Sequence, residues 1–265
     1  MALTDDIVRK AKLRLLQMHF NSRVGHIGGN LSALDILLTL YHDVLGPDDQ
    51  FILSKGHGAG ALYIALWSKG LLADDDLKTF HGEETRLSGH PAPGAIPEIP
   101  FATGSLGHGF SLAAGMAMAK RLKREPGRVH CLTSDGEWNE GSTWEALIFA
   151  AHQKLANLSI VIDLNGLQGF GTTAEVADLS PLAEKFRTFN VETVEINGHD
   201  HAALSEALRR PQTRTRVIVA TTTKGAGVSY MSHQMHWHYL PMTAEQYGQA
   251  VNEVEQECAK ASAAR

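Results

Sequence analysis

"VHCLTSDGEWNE" at 129–140 and "LSIVIDLNGLQGFG" at 158–171 carry the reading of the fold. Each opens as an apolar run of strand length and passes directly into small polar residues, Ser134, Asp135 and Gly136 in the first and Asp163, Asn165 and Gly166 in the second. One helix's worth of chain separates them, which is the crossover that two parallel strands require. The alternation continues: strand 129–134, helix 142–154, strand 158–163, helix 181–187, strand 191–196, helix 200–208, strand 216–222 and a helix near the C-terminus. The expected class is α/β, a parallel sheet with helices on both faces.

Upstream, Thr4 with Asp5 and Asp6 reads as a helix N-cap with acids in the first turn, and apolar residues recur at Ile7, Val8, Ala11, Leu15 and Met18. Gly25, Gly28 and Gly29 are expected to break this helix, and Ser32 to open a second through "SALDILLTLYHDVL". "FILSKGHG" reads as a short strand entering a glycine and histidine loop, "ALYIALWSKG" as a helix, and His108 to Lys123 as a helix of small residues with Met116 and Met118 in the core. "RLSGHPAPGAIPEIPFATGSLGHG", 86–109, holds four of the nine prolines. So long an irregular segment in a compact domain is more often functional than idle. "ADDDL" at 73–77 is a helix N-terminus whose acids suit the dipole better than a metal.

With 265 residues, 43% hydrophobic and 20% charged, the chain can bury a sizeable core, and one domain over 1–265 is expected. A net charge of −5 without basic blocks argues against a nucleic-acid partner. No segment stays apolar for about 20 residues and no signal-peptide core is present, so no membrane partner and a cytoplasmic location are expected. Cys131, within an apolar strand and far from Cys258, reads as a free buried thiol.

In parallel α/β sheets ligands bind outside the carboxyl ends of the strands, where both polar clusters fall. Asp135 and Asn165 are thirty positions apart; on neighbouring strands both side chains reach one crevice. The pair suits a hard cation. Mg²⁺ takes about six oxygens at about 2.1 Å, often one or two from protein and the rest from phosphate and water. A backbone carbonyl in "NGLQG" could add to the protein share, while Gly136 and Gly166 let phosphate approach the chain. Asp-Gly and Asn-Gly are also common turn dipeptides, and either alone reads as a turn; the spaced pair favours the metal.

An Asp-Gly pair followed thirty residues later by Asn resembles the thiamine diphosphate motif. "SKGHGAGALY", "SGHP", "TGSLGHGFSLAAGMAMAK", "DGEWNEGSTWEAL", "DLNGLQGFG" and "TTKGAGVS" occur in the order of the N-terminal half of transketolase, from "VGHIGG" to "MHWHYLP". The pattern is most similar to the N-terminal subunit of split, two-chain transketolases. The resemblance implies the diphosphate-binding fold, with Mg²⁺, replaceable by Ca²⁺ or Mn²⁺, on the side chains of Asp135 and Asn165 and the carbonyl of Leu167. It implies Gly104 and Gly136 facing the diphosphate and Leu106 packing on the aminopyrimidine. His57 and His238 correspond to histidines near the diphosphate and reaction centre, His26 and His90 to histidines near the sugar hydroxyls. Glu140 and Glu145 match acids that couple paired sites across a dimer interface. Ser134 stands where the family has glycine, and His108 where single-chain members have glutamine.

The glutamate that activates the cofactor belongs in this family to the next domain. The resemblance therefore implies a half-site completed by a C-terminal transketolase subunit, in a heterotetramer of two chains each, which moves a two-carbon ketol unit from a ketose, as a sugar phosphate, to an aldose. The alternatives are a subunit of a thiamine-dependent 2-oxo acid decarboxylase or dehydrogenase, and a non-catalytic scaffold. His19, His42, His130, His152, His199 and His201 read as surface or satisfied core histidines. His233, His236 and His238 lack the carboxylate or thiolate that would complete a metal site, and His81 has no assigned part.

Overall fold

Strands β1 (Gln50–Leu53), β2 (Val129–Ser134), β3 (Leu158–Leu164), β4 (Glu192–Asn197) and β5 (Arg216–Thr221) form one sheet in the order β1-β2-β3-β5-β4. Every pair is parallel. The computed structural model describes residues 2–94 and 96–263. Met1, Ala95, Ala264 and Arg265, which the expected 1–265 domain includes, lie outside the described residues.

The helices are α1 (Asp5–Ser22), α2 (Ile27–Thr39), α3 (Ala59–Ser68), α4 (Asp74–Lys78), α5 (Gly109–Lys123), α6 (Gly141–His152), α7 (Thr173–Ala177), α8 (Leu182–Arg187), α9 (His201–Arg209) and α10 (Ala244–Ala263). Alternate strand residues feed two cores because successive side chains leave opposite faces of a sheet. Leu53, Leu132, Val161 and Ile218 pack with α1, α2, α3, α9 and α10. Ile52, Cys131, Ile160 and Val217 pack with α5, α6 and α8. Burial on both faces explains why β2, β3 and β5 read as continuous apolar runs. Edge strand β4 carries Glu192 and Glu195 instead, which discourages pairing with another chain.

Expected boundaries fall within two residues of the observed ones from β2 to β5. Thr4 caps α1 by accepting from the Ile7 amide at 3.4 Å. The second helix departs from expectation: it begins at Ile27, and Gly28 and Gly29 lie inside it. A Cβ on Gly28 would stand 3.1 Å from Lys224 Cγ and 3.2 Å from Trp237 Cβ, so close packing and not helix termination calls for glycine there. Met116 and Met118 are only partly buried, at the margin of the second core. Among the described residues, 79–94 and 96–108 form no regular element.

Candidate functional site

The carboxyl ends of β1, β2, β3 and β5 open on one side of the sheet, and each leads into a loop of the same cavity. After β1 the chain runs through Lys55, Gly56 and His57. A Cβ on Gly56 would lie 1.7 Å from the Thr103 carbonyl oxygen. Only glycine lets that backbone touch the irregular segment and bring Gly104 and Leu106 to the mouth of the loop. After β2, Asp135 accepts from the amides of Gly136 at 2.8 Å and Gly166 at 2.6 Å, which ties the β2 and β3 loops together. Asn165 accepts from the Leu167 amide at 3.1 Å and donates to Asp163 at 3.3 Å.

His26 sits at the N-terminus of α2 with φ 67, a left-handed conformation uncommon for a residue with a side chain. Its ring meets those of His238 at 4.9 Å, His57 at 5.8 Å and His90 at 6.0 Å between centroids. These four histidines line a cavity of about 310 Å³ together with Gly104, Leu106, Asp135, Gly136, Asn165 and Leu167. All ten residues expected to contact metal, cofactor or sugar thus meet in one place.

Burial, and then the neighbouring Asp163, push the Asp135 carboxyl up to about 6. Burial opposes the charge of Asp163 as well, but the Lys55 ammonium and the hydroxyls of Ser32 and Thr222 outweigh it and hold this carboxyl below the usual range. Burial, followed by repulsion from Lys55, brings Lys224 down to about 8. Burial also lowers His26 to about 4, with His90 contributing, and His238 to about 3, with Lys224 contributing. Burial and then Lys55 hold His57 well below its ordinary value, and burial and then His81 lower His90. At neutral pH the four rings are therefore uncharged and offer a donor and an acceptor each.

The donor set fits a divalent cation carried on a diphosphate. A carboxylate, an amide oxygen and a backbone carbonyl are hard oxygen ligands, too few to complete a shell, and Mg²⁺ fills the remainder with phosphate and water. Among the described residues no group of three or more His, Cys, Asp or Glu side chains could hold a metal by itself. His233 and His236 are exposed, and of that run His238 alone reaches the cavity.

Three residues of the site escaped the sequence reading. Lys224 lines the cavity, with Nζ 3.4 Å from the Leu167 carbonyl and 3.2 Å from His238 Nδ1. Lys55, wholly buried, pairs with Asp163 and donates to the Gly29 carbonyl at 3.0 Å. Glu137, also buried, accepts from Ser54 and from the Gly107 amide at 2.8 Å, joining the β1 and β2 loops to the start of α5. The local signal was a lysine directly after each of two strand-end polar clusters. Glu140, before α6, and Glu145, about one turn before Ile148 and Phe149 on that helix, are exposed, as are those two residues. His108 is exposed, with Nδ1 3.1 Å from the Leu106 carbonyl, and His81 packs edge-on to Phe80. His130 departs from the satisfied histidine expected: it is buried and neither ring nitrogen is hydrogen-bonded.

This fold and cavity define a thiamine diphosphate-binding domain of the transketolase type. The chain belongs to the transketolase family: residues 6–259 match the family described as "Transketolase, thiamine diphosphate binding domain". It is 38% identical over 263 residues to an apulose-4-phosphate transketolase subunit of Phocaeicola vulgatus, covering 95% of this chain and 93% of that protein. It is 36% identical over 246 residues to the 6-deoxy-6-sulfo-D-fructose transketolase subunit SqwG of a Clostridium species, covering 88% of this chain and 90% of that one. The crystal structure of transketolase from Campylobacter jejuni superposes with a TM-score of 0.80 at 26% identity over 98% of this chain, which spans 48% of that larger one. No helix among the described residues is long and apolar enough to cross a membrane.

Proposed function

We propose that this chain, as one diphosphate-binding domain, is the N-terminal subunit of a two-component transketolase that transfers a ketol unit from a ketose to an aldose. The observation that carries the reading is the meeting of ten residues, from segments spread between positions 26 and 238, in one cavity at the strand ends. Thiamine diphosphate, when bound, supplies the nucleophilic carbon and the electron sink. Asp135, Asn165 and the Leu167 carbonyl hold the Mg²⁺ that anchors its diphosphate, and Ca²⁺ or Mn²⁺ can replace that ion. Gly104, Gly136 and Lys224 receive the phosphate oxygens, and Leu106 packs on the aminopyrimidine. His57 and His238 would serve near the diphosphate and the reaction centre, while His26 and His90, as neutral rings, would bind sugar hydroxyls and pass protons to and from them. The names of the two relatives speak of a ketose bearing a phosphate and a ketose bearing a sulfo group, and a ketose with a terminal anion is the donor class we assign.

The partner is a C-terminal transketolase subunit, and two copies of each chain form the complex. The exposed Phe170 and Tyr239 line the cavity, and with the exposed Leu240 next in the chain they supply the apolar contact such a partner would cover. The test is a calorimetric titration of thiamine diphosphate into the assembled pair with and without Mg²⁺. Binding that requires Mg²⁺ and vanishes in Asp135→Ala supports the reading; binding indifferent to both contradicts it.

A further inference from the structure

Helix α2 turns three polar groups toward the strand ends at intervals of three residues. The Gly29 carbonyl accepts from Lys55, Ser32 donates to Asp163 at 2.6 Å, and Asp35, buried at 4% exposure, takes up two histidines. Asp35 Oδ2 lies 2.7 Å from His199 Nδ1, and Oδ1 lies 3.1 Å from His201 Nε2. The second nitrogen of His199, Nε2, accepts from the backbone amide of Thr223 at 2.9 Å. This arrangement fixes the tautomer: the Nδ1 proton goes to Asp35, and the Nε2 lone pair to Thr223.

Thr223 directly precedes Lys224 and follows the last residue of β5 by two positions. The residues around it are held as well, Thr222 by the Leu164 carbonyl at 2.9 Å and by Asp163, and Gly225 by the Gly28 carbonyl at 2.9 Å. The Lys224 side chain leaves from the middle of this run and enters the cavity. A carboxylate that fixes an imidazole's tautomer and ring orientation through one nitrogen, as outer groups do for metal-binding histidines, here leaves the other nitrogen to hold the Thr223 amide.

We infer that Asp35 and His199 are positioning residues that set the Thr222–Gly225 backbone so that Lys224 meets the diphosphate. The inference rests on the proposed function of the cavity. A role confined to stability would change the unfolding temperature and leave ligand affinity in the folded protein unchanged. A positioning role moves affinity.

One methylene separates the two outcomes. In His199→Asn the amide reaches Asp35 but stops short of Thr223; in His199→Gln it spans to Thr223 with an acceptor where Nε2 stood. The chain assembled with its partner subunit is titrated with thiamine diphosphate and, separately, with inorganic pyrophosphate, both with Mg²⁺, alongside thermal unfolding. The expected result is an affinity lowered about tenfold in His199→Asn for both probes, near wild type in His199→Gln, and near wild type in His201→Phe, which touches Asp35 but not Thr223. Unchanged affinity in a folded His199→Asn overturns the inference, as does an equal loss in His201→Phe. If His199→Asn does not fold, deuterium exchange in the wild-type chain decides: a protected Thr223 amide supports the relay, and exchange as fast as an open loop overturns it. A wild-type pair that binds neither probe overturns the reading of the cavity and this inference together, whereas wild-type binding with an unaffected His199→Asn overturns the inference alone.

Discussion

Replacing Lys55 by Met removes one half of an ion pair whose two side chains are each 0% exposed. Asp163 would keep the hydroxyls of Ser32 and Thr222 and the Asn165 amide as donors, but no cation in contact. Breaking a buried pair by removing one partner costs about 3–5 kcal/mol, because the remaining charge stays desolvated. The Gly29 carbonyl lies inside α2 with Ser32 Oγ 3.0 Å away, so it is not left unpaired and adds little. The expected destabilisation is therefore about 3–5 kcal/mol, a large share of the stability of an ordinary domain. Urea unfolding of the full chain, followed by far-ultraviolet circular dichroism at pH 7, measures it. The double variant Lys55→Met/Asp163→Asn removes both charges and should recover roughly 2 kcal/mol of the loss. A loss below about 1 kcal/mol in Lys55→Met, the range of an exposed pair, would refute the argument that this lysine and aspartate hold the β1 and β3 loops together.

Other expectations concern the site and its surroundings. Asp135→Ala removes the only full negative charge among the proposed ligands and should abolish Mg²⁺-dependent uptake of thiamine diphosphate, while Asn165→Ala weakens it less; calorimetry of both variants checks the order. His90→Ala should keep cofactor affinity near wild type and raise the donor KM or lower kcat, whereas His57→Ala damages both; equal losses of cofactor affinity would mean the histidines are assigned wrongly. Burial brings His130 from 6.5 down to about 4. Between those values the unfolded chain binds a proton that the fold excludes, so stability is full above about 6.5 and falls with pH by at most ~1.4 kcal/mol per unit until about 4. Denaturation curves across that range should show a shallower acid limb in His130→Leu, and an identical limb would contradict the assignment.

How far the sequence disclosed this arrangement depended on the range of the contact involved. The strands and their order of helices were legible because burial on both faces leaves continuous apolar runs. Asp135, Asn165 and the loop histidines were legible because each stands at a strand end or between glycines. Lys55 and Lys224 carry no such mark, since lysine ordinarily signals a solvated surface, and the partner that lets Lys55 be buried, Asp163, lies 108 positions away. Gly28 and Gly29 looked like a helix break until the nearby Lys224 and Trp237 explained the need for glycine at position 28. The pairing of His199 with Asp35 spans 164 positions and leaves no local trace.

The central claim is that this chain carries the diphosphate half of a ketol-transferring site and needs a second chain for turnover. A coupled ketol-transfer assay at high protein concentration tests it, with the purified chain alone and then together with the C-terminal half of a transketolase. The account predicts silence from the chain alone and turnover that rises with added partner to a one-to-one ratio. Robust turnover by the isolated chain would contradict it.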